Sequence, residues 1–544
     1  MKQIRSVFSI LLALTLILSL CACGGQQPDV PVKNPAPVQP TNSTPAQPAP
    51  DPTGTDLSNT LVYAGENESS INPVVSAHDE IVELVFSGLM KYDGNGHPIE
   101  DLAGSYTFDK ESLTYTFKLR SGVKWHDGKD FTADDVVFTY EVLTRDETLS
   151  SSMKSDYENI VAVEAVDPQT VTITLDDYRA NMLGYFTIGI IPRHLLEGED
   201  MNTTSFNQHP VGTGRFRFVE WDMTGGMITF LRNEDYYGKV PNIERLIYKT
   251  VAVESTKATM LESGEADLAW LNANYAESFR GKPGYKNWDF TTADYRGASM
   301  EMASDFWSRN SDSIGVLNYA LDKEAIVKSV LNGQGCTAYS PIQLNPLGTD
   351  PAADIYSYDL DKFAQEMEKL GWQKGEDGIY VRNGERFHFT IQTRDYEEER
   401  VDIANVMSAM LKQAGVEMEV VLVTKFDWDA GYDGFLAGFA TQFDPDMAYK
   451  QFVTGGSDNT RHYSNETVDQ LLKSARHESD PAKRLKLYSE FERVYAQSPN
   501  VLLVAYLDGN YVGSSAVDGL NTSRVLGHHA VGVMWNIEEW TLNR

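Results

Sequence analysis

The chain has 544 residues and a formal net charge of -32, with 42% of its residues hydrophobic and 11% aromatic. That acidity excludes a binder of nucleic-acid phosphates, which needs a basic face, while the apolar content is ample for buried cores. Only three cysteines are present and two of them, Cys21 and Cys23, lie at the extreme start, so no disulfide framework is available.

In chain order, "MKQIRSVFSILLALTLILSLCACGG" places Lys2 and Arg5 before an uncharged apolar run of about 14 residues, Val7 to Leu20. Such a run is short of the roughly 20 residues that span a bilayer and reads as a secretory signal. Its end resembles a bacterial lipoprotein processing box, with Leu20 and Ala22 preceding Cys23. Residues 1–22 are therefore expected to be a signal peptide and Cys23 a lipidated residue. More than one acyl chain on that cysteine meets the two-signal requirement for a stable anchor. From Gln26 to Asp56 the chain holds nine of its 22 prolines and almost no large apolar residue, so residues 23–56 read as an extended tether.

The remaining body, from residue 57, is too long for one core and predicts two or more lobes. In "TYTFKLR" Tyr115, Phe117 and Leu119 share one face, and in "TVTITLD" Val171, Ile173 and Leu175 do, which predicts half-buried strands. Between them stands "GVKWHDGKDFTADDVVFTYEVL", whose Trp, His and acids could suggest a catalytic or metal cluster. The spacing argues otherwise. Gly128 ends a turn, Thr132 caps a helix, Asp134 and Asp135 occupy its first turn, and Val136, Tyr140 and Leu143 form its buried stripe. His126 and Asp127 are expected to form a hydrogen-bonded surface pair. Further on, "RFRFVEWDMTGGMITFLRN" predicts a hairpin around Gly225 and Gly226. Ile403, Val406, Met407, Met410 and Leu411 follow helical spacing up to a stop at Gly415, and the strand "VEMEVVLV" follows at once. Another helix starts at Asp480-Pro481, with Leu485, Tyr488, Phe491, Val494 and Tyr495 on its stripe. The fold class is α/β.

The stretch from Glu80 to Leu143, "EIVELVFSGLMKYDGNG…VVFTYEVL", resembles the family 5 extracytoplasmic solute-binding proteins, which are dipeptide, oligopeptide and nickel-complex receptors of ABC importers. "HPVGTGRFRFVEW", "ALDKEAIVKSVLNGQGCTAYSPI", "YDLDKFAQEMEKLGW" and "SDPAKRLKLYSEFERVYAQSPNVLLVAY" agree in the same order. The resemblance implies a two-lobed periplasmic-binding-protein-like fold of class II type, its large first lobe carrying an extra subdomain. The first lobe is expected at 57–295 plus 506–544 and the second at 296–505. Hinges would lie near "DYRGASM" and "LVAYLDG", and a solute would bind between the lobes. It further implies a tethered monomer outside the cytoplasm that delivers a solute to permease subunits, with no enzymatic activity, cofactor or nucleic-acid partner.

Peptide-binding relatives pair the ligand's amino terminus with a carboxylate in a Trp-x-x-Asp segment. Here the matching stretch is "GFATQFDPDMAYKQF", with Phe439 at the Trp position and Gln442 at the Asp position. A Gln cannot supply a charge-assisted bond. Asp444, beside Phe443, is the candidate to replace it, its alternative role being a turn before a helix. By family position Ser69, Ser70, Asn72, Tyr295, Arg296, Glu301 and Arg394 are further candidates to line the cleft, and Trp307 and Trp428 could sandwich a solute. Core packing or a solvated loop is the alternative for each. A peptide or peptide-like solute is expected, with a nickel or metallophore complex as the rival. Direct metal binding by the protein is not expected, because the adjacent His528 and His529 would point to opposite faces of a strand. A hydrolase is disfavoured, since "HESD" at His477 lacks zinc-helix spacing and Cys336 stands alone.

Overall fold

A computed structural model describes residues 59–76, 80–426, 431–440 and 443–544. The expected signal peptide, Cys23 and the tether lie outside the described residues, as do Trp428 and Gln442. Among the described residues no helix is long and apolar enough to cross a membrane.

Two unusually long strands, Tyr285–Met300 and Val501–Ser514, pair antiparallel at the centre of the main sheet. On one side they continue into Leu268–Leu271, Thr60–Gly65, Arg245–Thr250, Met227–Arg232 and Phe216–Asp222, and on the other into Gly434–Ala440, His388–Arg394 and Glu417–Val423. Their register slips between Thr291 and Tyr295 and again at Arg296/Gly297. Slips of this kind add local twist and bend, and they fall at the first of the two expected hinges.

The hydrophobic cores segregate about these slips. One core gathers Leu61, Trp125, Phe186, Phe230, Phe290, Tyr511 and Trp540. Two others gather Ala298, Trp307, Phe389, Met407 and Leu502, and Tyr295, Phe452, Phe491 and Tyr506. Within the first region, Ala103–Asp109, Thr114–Leu119, Thr170–Leu175 and Ile160–Asp167 form a separate four-stranded antiparallel sheet, on which the alternating Tyr115, Phe117, Val171 and Ile173 are buried.

The predicted helices form where their caps stand. Thr132 and Asp135 make a reciprocal capping box at the start of Ala133–Arg145. Asp480 accepts from Ala482 and Lys483 at the start of Pro481–Gln497. Gly415 closes Glu398–Ala414 in the left-handed region. The hairpin Phe216–Asp222/Met227–Arg232 is also present.

The Trp-His-Asp turn is scaffolding, with one correction to its pairing. His126 does not bond Asp127. Its Nδ1 accepts from the Gly212 N–H at 3.2 Å and its Nε2 meets the Gly214 carbonyl at 3.0 Å, whereas Asp127 meets His194 at 2.7 Å. Burial pushes the His126 imidazole down to about 4, so it serves as a neutral brace between two backbone segments. Trp125 donates to Asp135 at 3.3 Å, which ties the turn to the helix.

Candidate ligand-binding cleft

A cavity of about 420 Å³ lies between the two regions. Tyr92, Asp156, Tyr185, Arg215, Arg524 and Trp535 line it from the first region, and Phe439, Phe443, Met447 and Lys450 from the second. The walls touch around it. Tyr92 stacks on Phe443 with centroids 3.7 Å apart, Lys450 Nζ meets Asp156 at 3.0 Å, and the Tyr185 hydroxyl donates to Asp446 at 3.0 Å.

Most charges in the wall are already matched. Arg215 reaches Glu538 at 2.8 Å and Glu83 at 3.8 Å, Lys91 reaches Asp101 at 3.6 Å, and Lys450 has Asp156. Arg215 owes its place to the "GTGR" segment, whose glycines pack on the Leu84–Val85 backbone. Arg524 differs, lying over the rings of Phe443 and Trp535 at 4.8 and 5.9 Å.

At one edge Glu80 accepts from the Tyr63 and Tyr511 hydroxyls at 2.8 Å each. Burial raises its carboxyl to about 7 against those two bonds, with Glu66 adding to the rise. A folded-state acid raised in this way binds its proton more tightly than the unfolded chain, so its contribution to stability falls as pH rises from about 4.5 to about 7. Glu80→Gln keeps an acceptor for the tyrosines but cannot ionise. Its stability relative to wild type, followed by thermal melting, should therefore climb across that window, by an amount on the order of 3 kcal/mol in all. Parallel curves for the two proteins would show that Glu80 does not titrate there.

Of the residues singled out in the sequence, Phe439 and Phe443 line this cavity. Asn72 is fully buried and bonds Asn207 at 2.8 Å, Ser70 is buried beside it, and Ser69 is exposed with its carbonyl taken by Gln208. Tyr295 packs edge-on against Tyr506. Arg296 is buried between Asp294 at 2.7 Å and Glu399 at 3.1 Å, as a crosslink at the register slip of the central strands rather than a cleft cation. Glu301 meets His462 at 2.7 Å, and Arg394 pairs with Glu397 over the Phe426 ring. Trp307 is 0% exposed in the second region's core, out of reach of any solute in the cavity. Asp444 is held by both terminal nitrogens of Arg484 at 2.6 and 2.7 Å and caps the turn Pro445–Ala448. Its charge is thus spent inside the second region, and the alternative reading of Asp444 as a turn residue describes its place.

Arg524, Tyr92 and Trp535 escaped the sequence reading. They belong to segments with no distinctive spacing, and Tyr92 joins the other two only through Phe443, which lies far from it along the chain.

The two histidines also require a correction. His528–Ala530 is a helical turn with His529 at φ 53, not a strand, and the two rings lie 4.1 Å apart. His528 lines the cavity and meets Asp294 at 2.8 Å, and burial pushes its imidazole down to about 3 despite that carboxylate. Among the described residues no group of three or more His, Cys, Asp or Glu is placed to hold a metal ion.

Comparison with known proteins places this architecture. The family model for bacterial extracellular solute-binding proteins, family 5 (middle), matches residues 97–460. The oligopeptide-binding protein AppA of Bacillus subtilis is 28% identical over 504 residues, covering 87% of this chain and 89% of its own. Protein XP55 of Streptomyces lividans is 27% identical over 481 residues, covering 86% and 87%. Among solved structures, NikZ of Campylobacter jejuni in complex with Ni(L-His) superposes with a TM-score of 0.82 at 33% identity over 89% of this chain and 99% of its own. AppA of Bacillus subtilis in complex with a nonapeptide gives 0.76 at 25% identity, with the same coverage. The fold is thus the two-lobed α/β fold of periplasmic binding proteins, and the chain belongs to the family 5 bacterial extracellular solute-binding proteins.

Proposed function

We propose that the protein is the receptor of an ABC importer, catching a small peptide or peptide-like solute in this cavity and presenting the loaded form to the permease. The observation that carries the reading is a cavity with walls from two segregated cores, joined through a pair of central strands. A solute touching both walls binds the shut form better than the open one, and that difference in affinity drives closure. The segregation of the cores also supports two lobes, proposed at 57–295 plus 506–544 and at 296–505, with Tyr295 and Tyr506 at the crossings packed into the second lobe's core. The N-terminal sequence supports a signal peptide ending at residue 22, a lipid on Cys23 and a tether to the cell membrane. The receptor acts as a monomer without enzymatic activity. In keeping with that, partial burial and nearby Asp508 push the Cys336 thiol up, opposite to an activated nucleophile.

A second reading, an amino-acid chelate of a metal as cargo, is favoured by His528 in the cavity wall with His529 beside it, and by the likeness to a protein solved with Ni(L-His). Small-angle scattering and tryptophan fluorescence, with di- and tripeptides in one series and Ni(II) with L-histidine in another, decide between them. The cognate class should contract the particle and be recovered chemically unchanged. Profiles unaltered by every member of both series, or conversion of the bound compound, would reject the receptor reading.

A further inference from the structure

Arg524 is 5% exposed and lines the cavity, yet among the described residues its guanidinium has neither a hydrogen-bond acceptor nor a carboxylate at ion-pair distance, and its Nε is buried without a partner. Such a group is expensive. A buried cation is normally paired, and leaving one unpaired costs several kcal/mol. The neighbouring Arg215, by contrast, has two carboxylates. Burial, with Arg215 adding to it, pushes the Arg524 guanidinium below its usual range, against a pull from Glu83 and Tyr92. What Arg524 does have is rings. Its central carbon lies over Phe443, which is itself stacked on Tyr92, and over Trp535. Ring faces near the guanidinium carbon take none of its N–H donors, whose planar fork is left to meet a planar acceptor.

We propose that Arg524 is the anchor for a carboxylate on the transported solute, gripped in the plane of the guanidinium between Phe443 of one lobe and Trp535 of the other. The inference rests on the receptor reading above and narrows it to solutes with a free carboxylate. Because Phe443 and Trp535 come from opposite walls, the grip also rewards closure. The carboxylate supplies the missing counter-charge, and the Tyr92–Phe443–Arg524 stack is complete only when the walls meet. Two sources share this chemistry: a peptide's C terminus and the α-carboxylate of an amino acid chelating a metal.

The test uses matched probes on the folded body: trialanine against trialanine amide, and Ni(II) with L-histidine against Ni(II) with L-histidinamide. Affinity is read by calorimetry and by the fluorescence that Trp535 contributes. Wild type should favour the acid of the pair it binds by about 30- to 300-fold, the loss typical when one partner of a buried charged pair is removed. The pair that shows the preference identifies the source. Arg524→Gln should abolish the preference and Arg524→Lys should restore part of it. The melting temperature of solute-free Arg524→Gln should equal or exceed that of wild type, because the change removes an unpaired buried charge; a purely structural arginine would make it fall. Equal binding of acid and amide by wild type, or an acid preference that survives in Arg524→Gln, overturns the anchor while leaving the receptor reading intact. Binding of no probe by wild type overturns both.

Discussion

Gly212→Ala should yield a protein that does not reach the native fold, or reaches it with a loss of roughly 4 kcal/mol or more, a size reserved for severe packing defects. A Cβ added at Gly212 would stand 1.8 Å from the Val85 carbonyl oxygen and 2.6 Å from its carbon. Both obstacles are backbone, so no rotamer change relieves them, and the ordinary 1–3 kcal/mol or so of overpacking is a lower bound. Moving the segment away would also break the Gly214 N–H bond to Val85 at 2.8 Å and both braces from His126. Urea denaturation followed by circular dichroism measures the loss. A change under about 1 kcal/mol would mean that this close approach is not held in solution. The "GTG" triplet and the "WHDG" turn thus form one joint. Arg215 follows the joint directly and enters the cleft wall, so damage there reaches the binding site even where folding survives.

The second large effect belongs to Asp446, which is 1% exposed and faces Arg476 with both oxygens, Nε to Oδ1 at 2.9 Å and Nη2 to Oδ2 at 3.0 Å. Asp446→Ala should cost about 3–5 kcal/mol, because it strands a buried guanidinium whose remaining support is the Tyr449 ring at 3.5 Å. Removing the arginine as well, as Asp446→Ala with Arg476→Met, should recover most of that loss, since an apolar replacement of a whole buried pair is often close to neutral. If the double variant proved no more stable than the single one, the stranded charge would not be the cause. Asp446 also takes the Tyr185 hydroxyl from the opposite wall. Tyr185→Phe should therefore leave stability nearly unchanged while weakening solute affinity by a few-fold, the size of one hydrogen bond lost from the shut form.

Local pattern was enough for the elements. Alternation placed Tyr115, Phe117, Val171 and Ile173 on the buried face of a sheet, and the caps at Thr132 and Asp480 start helices where the sequence reading put them. These features depend on neighbours within a turn or a strand, which is the range over which a sequence carries explicit information. The cleft was legible only in part. Family position pointed to Phe439, Phe443, Arg296, Glu301 and Asp444 alike; the two phenylalanines line the cavity, whereas the structure gives each of the others a partner of its own in Asp294, His462 and Arg484.

By itself the sequence determined the α/β class, the family, the element starts and the scaffolding role of the tryptophan-histidine turn. Tertiary structure alone decided which charges are spent. Whether a buried arginine is matched depends on carboxylates and rings brought from elsewhere in the chain, as with Arg476 and Asp446 at one extreme and Arg524 among Tyr92, Phe443 and Trp535 at the other. Coulombic and stacking energies fall with distance in space rather than separation along the chain, so no local pattern could have told the committed arginine from the uncommitted one.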